Sequence, residues 1–118
     1  MNEKTINICG KDVTLRYCAA TETGFEQLRG KSISDLDFNS TEDMIALGVC
    51  AIIAHYGYKG EDAPIDSKTI IYEAKPADII KLLEAVLELR ADFYDIPQVA
   101  KPAPPTFEES QGEDKPKN

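Results

Sequence analysis

The chain has 118 residues, 42% of them hydrophobic, which is the size and composition of one soluble domain with chain to spare. Thirteen Lys and Arg stand against 21 Asp and Glu, for a net charge of −8. A chain this acidic does not condense on phosphate backbones or anionic bilayers, so nucleic acid and membrane surfaces are excluded as general partners. The C-terminal stretch 101–118 carries only −1 of that charge, so the acidity belongs to residues 1–100.

The first residues predict a β-hairpin. Thr5 to Cys9 and Asp12 to Tyr17 both alternate apolar and polar side chains, with Gly10-Lys11 between them. Glycine at the first central position predicts a type II′ turn, with Ile8 opposite Val13 and Ile6 opposite Leu15. One face is then apolar and the other carries Thr5, Asn7, Asp12, Thr14 and Arg16. A lone hairpin is marginal in water, so this one has to dock on a body.

A short helix is expected over 19–29, with Phe25 and Leu28 on one face and Gly30 as its stop. Residues 32–38 read as a short turn or a single helical turn. Ser40-Thr41-Glu42-Asp43 then has the capping hydroxyl and early acids of a helix start. From Met44 to Ala54 the pattern is apolar nearly all round, the mark of a buried central helix. The run His55-Tyr56-Gly57-Tyr58-Lys59-Gly60 breaks that pattern.

Asp66-Ser67 marks a second cap. Residues 68–74 suit either a two-turn helix, with Ile70, Ile71 and Ala74 on one side, or a strand. Pro76 opens the last helix, which runs to about Tyr94. Its stripe of Ile79, Leu82, Leu83, Val86, Leu89 and Phe93 faces inward; Lys81, Glu84, Glu88 and Asp92 form the opposite, solvated face. Residues 97–118 hold five of the seven prolines and little to bury. The expected architecture is therefore α+β: a two-stranded hairpin on a helical body of three to five helices over 1–96, then a disordered, flexible, Pro-rich and charged tail over 97–118.

Chemistry-bearing patterns are sparse. His55 is the only histidine, and no nucleophile or orienting acid is nominated beside it. Cys9, Cys18 and Cys50 are odd in number and widely spaced, so neither a disulfide framework nor a zinc site is expected, and each reads as a small buried apolar residue. Gly57-Tyr58-Lys59-Gly60 lacks the spacing of a phosphate loop, and Asp62 to Asp66 lacks the glycine of a calcium loop. No catalytic, cofactor or metal residue is assigned, and a non-enzymatic binding role is expected. The aromatic residues at helix ends, Tyr56, Tyr58, Phe93 and Tyr94, together with Ile96, are the expected rim of a protein-binding surface. No apolar leader opens the sequence, and the longest apolar stretch, Met44 to Ala54, falls short of the roughly 20 residues a bilayer needs. A cytoplasmic location is expected.

The order of features carries a resemblance. Ile6-Asn7-Ile8-Cys9-Gly10-Lys11-Asp12-Val13-Thr14-Leu15-Arg16-Tyr17 is followed by a helix ending in Leu28-Arg29-Gly30-Lys31-Ser32-Ile33, then a capped apolar helix and a final amphipathic one. Over about residues 5–95 this resembles the tail assembly chaperones of long-tailed, siphovirus-type phages and prophages. Members of that family share a hairpin with Gly-Lys at its turn and a helix closing on Leu-x-Gly-Lys-Ser. The resemblance implies a cytoplasmic chaperone that binds the tape measure protein and keeps it soluble. It further implies help in recruiting tail tube subunits during virion assembly, possible homo-oligomers, and a longer frameshifted form to which the Pro-rich tail would be the linker. The alternative is a small acidic adaptor or inhibitor of a mobile element, acting through protein contacts.

Overall fold

A computed structural model describes residues 2–95. In chain order it has strands β1 (Glu3–Ile8) and β2 (Lys11–Arg16), then helices α1 (Ala19–Arg29), α2 (Thr41–Lys59), α3 (Ser67–Glu73) and α4 (Pro76–Phe93). A 3-10 turn at Ile33–Asp35 joins α1 to α2. The expected α+β architecture is present: an antiparallel hairpin packed on four helices. The expected tail, residues 97–118, lies outside the described residues.

The hairpin register differs from expectation by two residues. Ile6 pairs with Val13 and Ile8 with Lys11, so the turn is Cys9-Gly10 and not Gly10-Lys11. Both turn residues have positive φ, 52° and 76°, as a type I′ turn requires. The outer face explains the choice. This register sets Thr5 opposite Thr14, with hydroxyls 2.7 Å apart, Asn7 opposite Asp12 at 3.0 Å, and Glu3 opposite Arg16 in an ion pair. A shift of two leaves the faces unchanged. Ile8, Val13 and Leu15 are buried as expected, and Ile6 packs half-buried against the core.

Helix α2 is the centre. Met44, Leu47, Ala51 and Ile52 are almost wholly buried. The helix continues through His55-Tyr56-Gly57-Tyr58 to Lys59 and stops at Gly60, whose φ of 71° is the left-handed cap. The sequence pattern ends sooner because Gly57 has no side chain and Tyr58 and Lys59 leave the core, while the backbone stays helical. β2 and α1 pack on α2, and α4 packs on both α2 and β1. Where α4 crosses α2, a methyl group built on Gly48 would come within 2.7 Å of Leu82 Cγ, so glycine sets the spacing of the two helices.

The stretch 68–74 resolves as helix up to Glu73, with Ala74 as the extended residue that ends it. Asp66 accepts the Thr69 amide at 2.8 Å and Ile70 is buried, while Ile71 stays exposed. On α4, Leu82, Ala85, Val86 and Leu89 are buried, whereas Phe93 is partly exposed. Its charged face is not simply solvated: Lys4 of β1 pairs with Glu88, and Lys81 Nζ donates to the Asn7 carbonyl at 3.2 Å. These contacts clamp β1 to α4.

The α1–α2 connection is organised by one carboxylate. Asp43 is fully buried and accepts Arg29 Nε at 2.9 Å, Lys31 Nζ at 2.6 Å and the Asp37 amide at 3.0 Å. Ser40 Oγ in turn accepts the Asp43 amide at 3.1 Å, capping α2. Gly30, at φ 68°, turns the chain so that Arg29 and Lys31 both reach the same acid, and the Ile33 amide donates to Glu26. The Lys31 ammonium, the Asp37 amide and the Arg29 guanidinium hold the Asp43 carboxyl down at about 2, below its ordinary 3.8.

Two outcomes follow. Gly48→Ala should destabilise the fold by about 1–2 kcal/mol, overpacking against Leu82 outweighing the better helix propensity of alanine; a rightward shift of the urea midpoint would contradict this. Because the folded carboxyl titrates lower than an unfolded one, Asp43 stabilises the fold above about pH 3.8, and that contribution fades as pH falls towards 2. Asp43→Asn should therefore lower the urea midpoint at pH 7, with the gap to wild type closing between about pH 4 and about pH 2.

Candidate functional site

Among the described residues, no group of three or more His, Cys, Asp or Glu is placed to hold a metal ion. His55 is buried at the end of the core, its Nδ1 without a hydrogen bond and 3.9 Å from Glu3 Oε2. That carboxylate is engaged by Arg16. The ring packs edge-on to Tyr56 at 4.8 Å, so His55 serves as packing between α2 and the hairpin.

The main concavity lies between α1 and α2. The two helices run antiparallel: Arg29 meets Asp43 at one end, Gly24 meets Cys50 in the middle, and Arg16, just ahead of α1, lies over the Tyr58 ring at 4.1 Å at the other. A methyl on Gly24 would sit 3.3 Å from Cys50 Sγ, so the close approach there depends on glycine. Beside this contact opens a groove of about 840 Å³, lined mostly by apolar side chains, with Gln27 among them and Arg16 at its end. Leu28, Ile53 and Tyr58 stand out from its walls, 59%, 60% and 73% exposed. Leu28 was expected to share the buried face with Phe25; the structure buries Phe25 and turns Leu28 to the groove.

Gly57 forms part of the groove lining. Gly10, Gly30 and Gly60 have positive φ, and Gly24 and Gly48 meet close neighbours. Gly57 has neither reason: it is helical, and an added Cβ would meet nothing within 4 Å. Within a helix glycine costs about 1 kcal/mol relative to alanine. Its effect here is to leave the α2 backbone open to whatever enters the groove.

The expected rim residues fall into separate places. Tyr58 lines the groove. Tyr56 is half-buried, its hydroxyl accepting the Thr14 amide at 3.2 Å, where it covers the edge of β2. Phe93 and Tyr94 belong to a different cluster at the end of α4: Phe93 packs on Tyr17 at 5.2 Å, and the Tyr94 hydroxyl donates to Glu22. Arg90 lies over the rings of both Tyr94 and Phe38. Burial and the Glu22 carboxylate push the Tyr17 and Tyr94 hydroxyls up, so both remain protonated donors. Ile96 lies outside the described residues. The groove residues that sequence reasoning missed are Leu28, Ile53 and Gly57. A readable signal existed in Ile53 and Gly57, one turn apart on one face, had the helix been continued past His55.

The cysteines divide. Cys50 is buried, and desolvation pushes its thiol up to about 11; Cys9 and Cys18 are only half-buried, short of the expected burial. Cys18 lines the groove.

No family profile, curated protein or solved structure matches the chain. Among the described residues no helix is long and apolar enough to cross a membrane.

In the folded protein Cys18 should react with a maleimide well before Cys50, with Cys50 modified only once urea unfolds the chain. Mass spectrometry of the peptides reads this order, and early modification of Cys50 would contradict the buried α1–α2 contact.

Proposed function

We propose that the chain is a tail assembly chaperone of a phage or prophage, a non-catalytic cytoplasmic protein that holds the tape measure protein soluble and helps bring tail tube subunits to it. The observation that carries this reading is the open apolar groove on an acidic body, with Gly57 leaving the α2 backbone accessible in its lining. A holder of aggregation-prone helices needs an apolar surface to bind them and a net charge to keep the complex dispersed.

The resemblance stated for the sequence supports the same reading. The Leu28-Arg29-Gly30-Lys31-Ser32-Ile33 segment has a defined task in this chain. Arg29 and Lys31 hold Asp43, Gly30 makes the turn, Ser32 caps the 3-10 turn, and Leu28 stands at the groove. The acidic adaptor alternative has less support, because of the acids Glu84, Glu88 and Asp92 on the outer face of α4 the middle one, Glu88, is taken by Lys4. Phe93 and Tyr94 remain candidates for a second contact surface, for tube subunits or for another copy of the chain.

Co-expression with the tape measure protein tests the reading. The wild-type chain should raise the soluble fraction of that client severalfold. Ile53→Ser combined with Tyr58→Ser, both at exposed positions, should abolish the gain while circular dichroism shows the fold retained. A client equally insoluble with and without the wild-type chain would refute the chaperone role.

A further inference from the structure

We infer that the α1–α2 groove takes a basic amphipathic helix: a segment whose apolar face seats beside Ile53 and Gly57, and whose lysines or arginines project towards the surrounding acids. The inference rests on reading the groove as a holding site and adds the chemistry of what is held. Along α2 the groove runs from Cys50 to Tyr58, about 12 Å, the length of two helical turns. A helix laid there would approach the α2 backbone at Gly57, where no side chain intervenes.

The charge pattern selects the partner. Three cations near the groove are already paired inside the fold: Arg16 with Glu3, Arg29 with Asp43 and Glu42, and Lys31 with Asp43. On the far side of Ile53 a second, smaller hollow is lined by Asp62 and Asp66 with Ala63, Ile65 and Ile70. Ile53 lines both hollows, so the apolar floor continues directly into an acidic border. With a net charge of −8 on the chain, an acidic or neutral helix gains nothing from approach, whereas a basic one is steered in and held at its flanks. A second copy of this chain brings the same excess of negative charge and is disfavoured at low salt.

The test uses the full chain and two fluorescent peptides of about 14 residues, long enough to form a helix. One is built of leucine and lysine, the other is its leucine and glutamate isostere. Fluorescence anisotropy should show the lysine peptide binding about tenfold or more tightly than the glutamate one at about 50 mM salt, with the ratio shrinking at about 500 mM. Gly57→Leu fills the groove without changing any charge, and the space around Gly57 lets the fold accept it. That variant should lose about tenfold or more in affinity for the lysine peptide. Equal binding of both peptides would overturn the charge selection. Undiminished binding by Gly57→Leu would overturn the groove as the place, leaving only diffuse attraction to an acidic surface. If sedimentation of the chain alone shows a dimer that Gly57→Leu dissociates, the occupant is a second copy and the inference fails. Peptide binding without rescue of the tape measure protein would remove the phage role and leave this inference standing.

Discussion

A 19-residue helix with apolar side chains on nearly every side is the constraint around which this molecule is arranged. Such a helix cannot sit on a surface; it has to be surrounded. The hairpin, α1 and α4 each cover part of it, and their own apolar faces are buried by the same contacts. The hairpin needs this as much as the helix does, since two strands alone bury too little to persist. Asp43 then fixes where the enclosure begins. It lies in the first turn of α2, receives the cations that follow and close α1, and ties down the loop through the Asp37 amide.

The groove follows from unequal lengths. α2 spans about 28 Å, whereas α1, with 11 residues, spans about 16 Å and α3, with seven, about 10 Å. The hairpin and α4 pack on one side of α2. On the other side α1 closes on α2 where Arg29 meets Asp43 and where Gly24 meets Cys50, while Ile53 and Gly57 stay uncovered. Exposure of Ile53, Tyr58 and Leu28 is thus a property of the architecture. In a chain carrying −8, such an uncovered face can persist without the protein aggregating, because the molecules repel one another.

Two clusters of aromatic and charged groups sit at the ends of this arrangement. Arg16 links Glu3 to Tyr58 at the mouth of the groove, and Arg90 links Phe38 to Tyr94 beyond α4. Their sequence neighbours Arg16 and Tyr17 point to opposite clusters, as adjacent residues at a strand end do. The aromatic residues that read as one rim along the sequence therefore serve two surfaces. Tyr56 serves neither, having been drawn inward to the β2 edge.

Local chemistry was enough to determine every element type except that of residues 68–74. Alternation marked the strands, the Ser40 and Asp66 caps and Pro76 marked helix starts, and Gly30 marked a helix end, because each acts on backbone groups within a few residues. The apolar run from Met44 likewise announced a central helix. What tertiary structure alone decided was everything that depends on distant partners. The hairpin register was set by cross-strand pairs such as Thr5 with Thr14, and the open choice at residues 68–74 fell to helix over Ser67–Glu73 with Ile70 buried against the core. The division of exposed apolar residues into a groove and an aromatic cluster was set by which helix is long enough to cover which. Periodicity says that a face is apolar; only the packed lengths of α1, α2 and α3 determine how much of that face remains open.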